Sequence, residues 1–322
     1  MKQKPLALAA ALFVGLLGSA HFVSAAAPTP VAALMSSKAQ QGLLLGMATA
    51  GQSTLAVGGN GVILRSTDGG GWTQVKSPVD SALTQIAFAD SQQGWAVGHD
   101  HAILHSADGG QNWTLQNWQP EVAAPLFAVL PLDANRVIAA GAFSSLKLTT
   151  DGGRQWTDLD VPALSAEKYH FNALTRLRDG RLLVAGEHGL VGLSADGSAW
   201  QRVATPYEGS FFGALPVGEH GALVFGMRGN VFYADDPQTG QWEKIETGTT
   251  ASLFGGSVLG EDAILVGADG VIVRVNASQR KTSAILVKGL NRDQVFAAVQ
   301  MTSQRMIVAG DKGVLKLTLP RQ

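Results

Sequence analysis

Seven times along the chain, a run of small or apolar residues ends in glycine: Ala56-Val57-Gly58, Ala96-Val97-Gly98, Ala139-Ala140-Gly141, Val184-Ala185-Gly186, Val224-Phe225-Gly226, Leu265-Val266-Gly267 and Val308-Ala309-Gly310. The glycines are spaced by 40, 43, 45, 40, 41 and 43 residues. A period of that length marks a repeat architecture whose units stack on their neighbours. Each glycine leads into a short turn, often closed by a second glycine (Gly61, Gly189, Gly229, Gly270, Gly313), and then a β-type run such as Val62-Ile63-Leu64. Apolar residues alternate with a period of two and show no helical period, so each unit reads as strands. In the second unit these are Leu83–Ala89, Gly94–Gly98, Ala102–His105 and Trp113–Gln116. Four short strands in ~40–45 residues make one propeller blade. The spacing predicts an all-β, seven-bladed β-propeller of four-stranded antiparallel blades, one domain over 27–322.

The seventh unit ends after three strands, with Val314–Leu317 as the last. The β-capable segment Pro30–Ser36 is expected to pair outside it, as the N-terminal strand that closes the last blade and covers its bare edge. Ahead of that segment, Lys2 and Lys4 precede an apolar run from Pro5 to Leu17, and Val23-Ser24-Ala25 offers small residues for cleavage. Residues 1–26 read as a cleaved signal peptide, with Ala25 and Ala26 both acceptable last residues, and the apolar run is too short to span a bilayer. The expected location is periplasmic, the expected state a monomer that does not itself span the membrane.

Composition removes several chemistries. The sequence has no Cys, hence no disulfide, thiolate metal site, cysteine nucleophile or lipid-bearing cysteine. Lys+Arg 24 against Asp+Glu 25 is too balanced for a nucleic-acid grip. No cofactor is expected. His99-Asp100-His101 invites a metal, but His105 lies about 13 Å from His101 at strand rise, so the two cannot share an ion. No metal site is expected, and the turn reads as solvated.

Four units continue into Asp-Gly and Trp, with Asp68, Asp108, Asp151 and Asp196, and a degenerate fifth copy runs from Asp235 to Trp242. In Ser106-Ala107-Asp108-Gly109-Gly110-Gln111-Asn112-Trp113 the carboxylate is placed to accept from turn N–H groups, and glycine takes the positive-φ position. The pattern resembles the Asp box of bacterial-neuraminidase-type repeats, and these aspartates read as structural. A sialidase would need a Tyr nucleophile, and Tyr169, Tyr207 and Tyr233 sit in no evident motif. The alternative to a binding protein is a carbohydrate-active enzyme, a glycosidase or lyase using Glu187, Asp269 and Asp311, which follow blade glycines on one face. No catalytic residue is assigned.

The unit from Gly61 to Gly70 followed by Trp72, in a seven-fold exported chain, resembles the photosystem II stability/assembly-factor-like family of propellers. The resemblance covers about residues 40 to 318. It implies a non-enzymatic scaffold that binds a membrane protein or its assembly intermediate; in non-photosynthetic bacteria, relatives resemble accessories of resistance-nodulation-division-type exporters. It also implies an Arg patch from the residue before the Asp box, matched here by Arg65 and Arg274. His105, Leu148, Leu193, Tyr233 and Leu317 are the expected equivalents elsewhere, with Lys316 turned to the other face. A second candidate surface comes from the residues alone. The turns after the blade glycines, with the connections 116–124, 159–170, 204–209 and 288–294, place His99, His101, Trp118, Tyr169, Glu187, His188, Tyr207, Arg228 and Lys312 on one rim. Phe127, Phe171, Phe212, Phe254 and Phe296 recur 13–15 residues before the blade glycine and read as inner-strand core.

Overall fold

A computed structural model of the chain describes residues 28–67, 69–285, 290, 292–301 and 305–317. They form seven antiparallel sheets in chain order, over 44–75, 83–117, 126–158, 171–203, 211–245, 253–284 and 296–317. Six blades have four strands, and the seventh has three among the described residues. The second blade runs Leu83–Phe88, Gly94–Gly98, Ile103–Ser106 and Thr114–Asn117, within a residue or so of the pattern-based boundaries. Among the described residues the longest helical element is the four-residue Pro162–Ser165, and no helix is long and apolar enough to cross a membrane.

The cores lie between blades. Leu55, Val57 and Ile63 of blade 1 pack on Ile86, Ala96 and Leu104 of blade 2, as the need of each half-buried sheet for a neighbour requires. The blade glycine is there because the chain crosses itself. A Cβ on Gly58 would lie 2.0 Å from Leu43 O, and one on Gly98 2.1 Å from Ala82 O.

Every inner strand carries a bulge after its first residue, a feature the sequence pattern does not display. The bulged residues are Leu45, Thr84, Phe127, Asn172, Phe212, Phe254 and Ala297, and all seven line the central channel. The phenylalanines therefore belong to two registers. Phe171 and Phe296 are buried first-strand residues, whereas Phe127, Phe212 and Phe254 face a channel cavity of about 300 Å³.

Closure differs from the expectation. Among the described residues no strand pairs outside Val314–Leu317. The segment 30–36 instead runs along the outer strand of blade 1: Ala33 N donates to Ser77 O (3.1 Å), Ser36 N to Gln74 Oε1 (2.7 Å), and Gln74 Nε2 to Leu34 O (2.9 Å). The ring is joined further along, where the turn Ala39–Gln41 presses on Gly313, whose Cβ would meet Gln40 O at 2.0 Å. Leu44, Met47 and Ala56 pack there on Ile307 and Ala309, and Gln300 Nε2 donates to Met47 O (3.2 Å).

Candidate interaction faces

Antiparallel blades divide the candidate residues between the two ends of the ring. The turns after the blade glycines and the connections between blades share one end, here the loop face. The Asp-box turns and the hairpins joining the first two strands of each blade share the other.

The Asp boxes are turn devices. Asp108 Oδ1 accepts from Gln111 N, Asn112 N and Ser106 Oγ (2.9 Å each), and Ser106 Oγ accepts from Gly110 N (2.8 Å). Asp151 accepts from Gln155 N and Thr149 Oγ1, and Asp196 from Ser198 N and Oγ. Partial burial works against the Asp108 carboxylate, but the Asn112, Ser106 and Gln111 donors outweigh it and hold it below its ordinary range. Asp68 lies outside the described residues, although its turn keeps the Gly69 N to Ser66 Oγ bond (2.8 Å). Trp113 and Trp200 cap their turns by donating Nε1 to Gly110 O and Gly197 O.

On this face Arg65 Nε donates to Gly109 O of the next blade (3.3 Å). Its side chain borders a groove of about 600 Å³ shared with Met35, Thr73, Lys76, Gln111 and Asn112. Arg274 occupies the same register in blade 6 but is bound within its own blade. Its Nε reaches Asp262 Oδ2 at 2.8 Å, its Nη2 bonds the same oxygen, and Asn276 Nδ2 holds Oδ1. The seventh blade corrects the register: Lys316 pairs opposite Ile307, as Arg65 does opposite Leu55 and Arg274 opposite Ile264, while Leu317 is buried. Only four residues separate Ala309 from its partner Val314, against five between Val57 and Ile63, so the turn is one residue short and moves Lys316 into the Arg position. Blades 6, 7 and 1 thus carry Arg274, Lys316 and Arg65 in one register. Lys76 was missed in the sequence because nothing in the repeat singles it out.

Tyr233, the blade 5 equivalent, is buried. Arg280 lies over its ring at 4.9 Å, and its hydroxyl donates to Asp235 at 2.5 Å. Burial, reinforced by Asp235, pushes its pKa up to about 12.

On the loop face, the predicted residues are brought to one end but not into one site. His101 is buried rather than solvated, with Nδ1 3.2 Å from Gln119 Oε1 and Nε2 unpartnered, and burial pushes its pKa down. Among the described residues no three His, Asp or Glu side chains gather as a metal site would require. Trp118 packs on the blade 1–2 core and donates to Ser81 Oγ. Tyr207 is held by Met227 O (3.0 Å) and Asn230, with its ring against Phe211 and Phe232. Lys312 pairs with Asp293 (2.9 Å). His99 and Arg228 stand exposed on their turns. Tyr169 and His188 stack at 4.5 Å, and Glu187 Oε2 accepts from His170 N (2.9 Å). Asp311 Oδ1 similarly accepts from Val295 N, so two of the three turn carboxylates serve the backbone beside them.

A family model described as photosynthesis system II assembly factor YCF48 matches residues 70–315. The chain belongs to this family. A photosystem II assembly lipoprotein Ycf48 of Synechococcus sp. (strain CC9902) is 30% identical over 105 residues, 31% of each chain. A chloroplastic photosystem II stability/assembly factor HCF136 of Guillardia theta is 42% identical over 55 residues, 16% of this chain and 14% of that one. The alignments thus span less than a third of either curated relative. The structure of YCF48 bound to a D1 peptide is similar at a TM-score of 0.70 and 17% identity, covering 92% of this chain and 98% of that one. Virginiamycin B lyase from Staphylococcus aureus is similar at 0.73 and 12%, covering 90% and 99%. At these identities both likenesses speak for the fold alone, and one of the two folds is an enzyme.

Proposed function

We propose that the chain is a non-enzymatic scaffold that holds an exposed segment of a membrane protein or of its assembly intermediate. Family membership supports the scaffold, and the relative solved with a D1 peptide supports a peptide-sized target. The observation that carries the reading is the groove beside Arg65. It runs beside the first two Asp-box turns, the second of which is held by the bonds of Asp108, and it offers a guanidinium, the Lys76 ammonium, the Asn112 amide and the apolar Met35 side by side. That set suits an extended segment bearing a carboxylate, which Arg engages through parallel N–H donors. Arg274 is committed to Asp262 and serves blade 6; Lys316 extends the positive row beyond the groove.

Two of the three carboxylates on which the enzyme reading rests, Glu187 and Asp311, accept from the backbone N–H groups of His170 and Val295, which weighs against that reading. A tyrosine nucleophile must reach its phenolate, and Tyr233 is buried, covered by Arg280 and raised to about 12. The protein acts in the periplasm as a monomer, exported on the leader 1–26, and in a bacterium without a photosystem its partner belongs to the resistance-nodulation-division-type exporters. The test is capture from detergent-solubilised membranes by the tagged chain, compared with Arg65→Glu and Lys76→Glu. A membrane protein retained by the wild type and lost from both variants at unchanged unfolding midpoint supports the reading. Equal retention by all three overturns it.

A further inference from the structure

The turn after each of the first six blade glycines holds a middle residue in the left-handed region: Asn60, Asp100, Phe143, His188, Arg228 and Asp269, with φ of 51–57°. Asn and Asp tolerate that conformation; a bulky aromatic adopts it rarely. Phe143 is followed by Ser144 at φ 60°, where four of these turns have glycine. Its ring is also 57% exposed. Phenylalanine there is disfavoured by the backbone and again by water. The ring contact it makes in return is an edge-on approach to His170 (4.9 Å). Strain and exposure combined at one residue point to use by a partner.

Its surroundings define that partner. His170 leans on Phe127 (5.9 Å), which opens onto the channel cavity also lined by Phe212 and Phe254. The connection 159–170 is tied to the same turn, because Ser144 N and Oγ both donate to Tyr169 O (2.9 Å). Two carboxylates beside it are engaged, Glu187 by His170 N (2.9 Å) and Glu167 by Arg202 (3.0 Å). Lys168, exposed and itself at φ 54°, has no ion pair among the described residues. The chain thus brings an exposed ammonium without an ion pair among the described residues to the connection that is bonded to the Phe143 turn.

We propose that the loop face of blades 3 and 4 docks a protein segment carrying a large apolar side chain next to a carboxylate. The apolar side chain lies on Phe143 toward the channel mouth, and the carboxylate meets Lys168. The proposal rests on the scaffold reading but assigns a second site, on the face opposite the Arg65 groove.

The probe is a panel of fluorescein-labelled octapeptides of Gly and Ser with a single Leu-Asp, Phe-Asp or Trp-Asp pair, titrated into the full chain by anisotropy. Phe143→Asn is expected to weaken the best peptide at least tenfold while leaving the unfolding midpoint unchanged or raised. Lys168→Gln is expected to weaken it severalfold and flatten its salt dependence, and replacing the peptide's Asp by Asn should do the same. Arg65→Glu should leave this binding intact. No binding up to about 1 mM, the weakest affinity of interest, overturns the site. So does a lowered midpoint in Phe143→Asn, which would make the ring a packing element. Peptide binding lost in Arg65→Glu and kept in Phe143→Asn overturns the second site while leaving the scaffold reading standing. Binding that follows Phe143, with no capture from membranes, overturns the groove alone.

Discussion

Gln116 fastens blade 2 to blade 3, and replacing it tests whether stability resides between blades. Its Oε1 accepts from Trp95 Nε1 (3.2 Å) and Trp156 Nε1 (3.3 Å), while its Nε2 donates to Gly152 O (2.8 Å). Gly153 makes room for it, since a Cβ there would lie 1.8 Å from Gln116 Oε1. Gln116→Leu keeps the volume and removes all three bonds. Trp95 is fully buried, so its N–H is left without water or acceptor, at roughly 1–3 kcal/mol. Trp156 and Gly152 are partly exposed and regain water, so each loses about 0.5 kcal/mol. The variant should be destabilised by about 2–4 kcal/mol in urea unfolding followed by circular dichroism. The same substitution made on Trp95→Phe should lose only about 1 kcal/mol, because no buried donor remains to be orphaned. A loss below about 1 kcal/mol in the wild-type background, or an equal loss in both, would refute the assignment.

Asp108→Ala should destabilise the protein by about 1 kcal/mol through lost turn bonds, Asp151→Ala should likewise lower the unfolding midpoint, and both should leave partner capture intact once folded; loss of capture at full stability would show a direct role. Arg274→Lys should lower the unfolding midpoint, because the pair of bonds to Asp262 is broken, whereas Arg65→Lys, which loses only the long Nε bond to Gly109 O, should lower it less and weaken capture. The Asp179 carboxylate is disfavoured by burial, but Arg181 and His220 outweigh this and hold it down to about 2. Its stabilisation is therefore full above its unfolded value near 3.9 and lost as pH falls through about 2, and Asp179→Asn should flatten the acid limb of stability over that window. His101 works in the same direction at higher pH. Its burial, with Lys147 nearby, lowers its pKa against the opposing pull of Gln119, Asp158 and Glu121, so stability falls as pH drops below its unfolded value near 6.5. His105 is lowered by burial too, so His101→Gln should flatten part of that slope and an unchanged slope would assign it to His105.

The blades were legible because each glycine sits where a strand crosses the preceding connection, so steric need repeats with the period. The Asp boxes were legible for the same reason, since a turn is a local device. What sequence could not show depends on neighbours 40 or more residues away. Gln116 looks like any outer-strand glutamine until Trp156 and Gly152 of the next blade are beside it. The bulges were hidden because they leave strand alternation almost unchanged while turning Phe127, Phe212 and Phe254 into the channel. The seventh turn differs from the others by a single residue, which exchanged Leu317 for Lys316. The N-terminal segment carried β-type residues but no partner in its own sequence, and its bonds to Gln74 and Ser77 run along blade 1 instead.

Site-specific photocrosslinking tests the scaffold most directly. A benzoylphenylalanine placed at Thr73 or Gln111, inside the Arg65 groove, is irradiated with native membranes, and the adducts are mapped by mass spectrometry. The control position is Gln201, exposed on the outer strand of blade 4. The account predicts adducts at Thr73 and Gln111 to a carboxylate-bearing segment of a membrane protein, abolished by Arg65→Glu, with none at Gln201. The same adducts at all three positions, or groove adducts that survive Arg65→Glu, would contradict it.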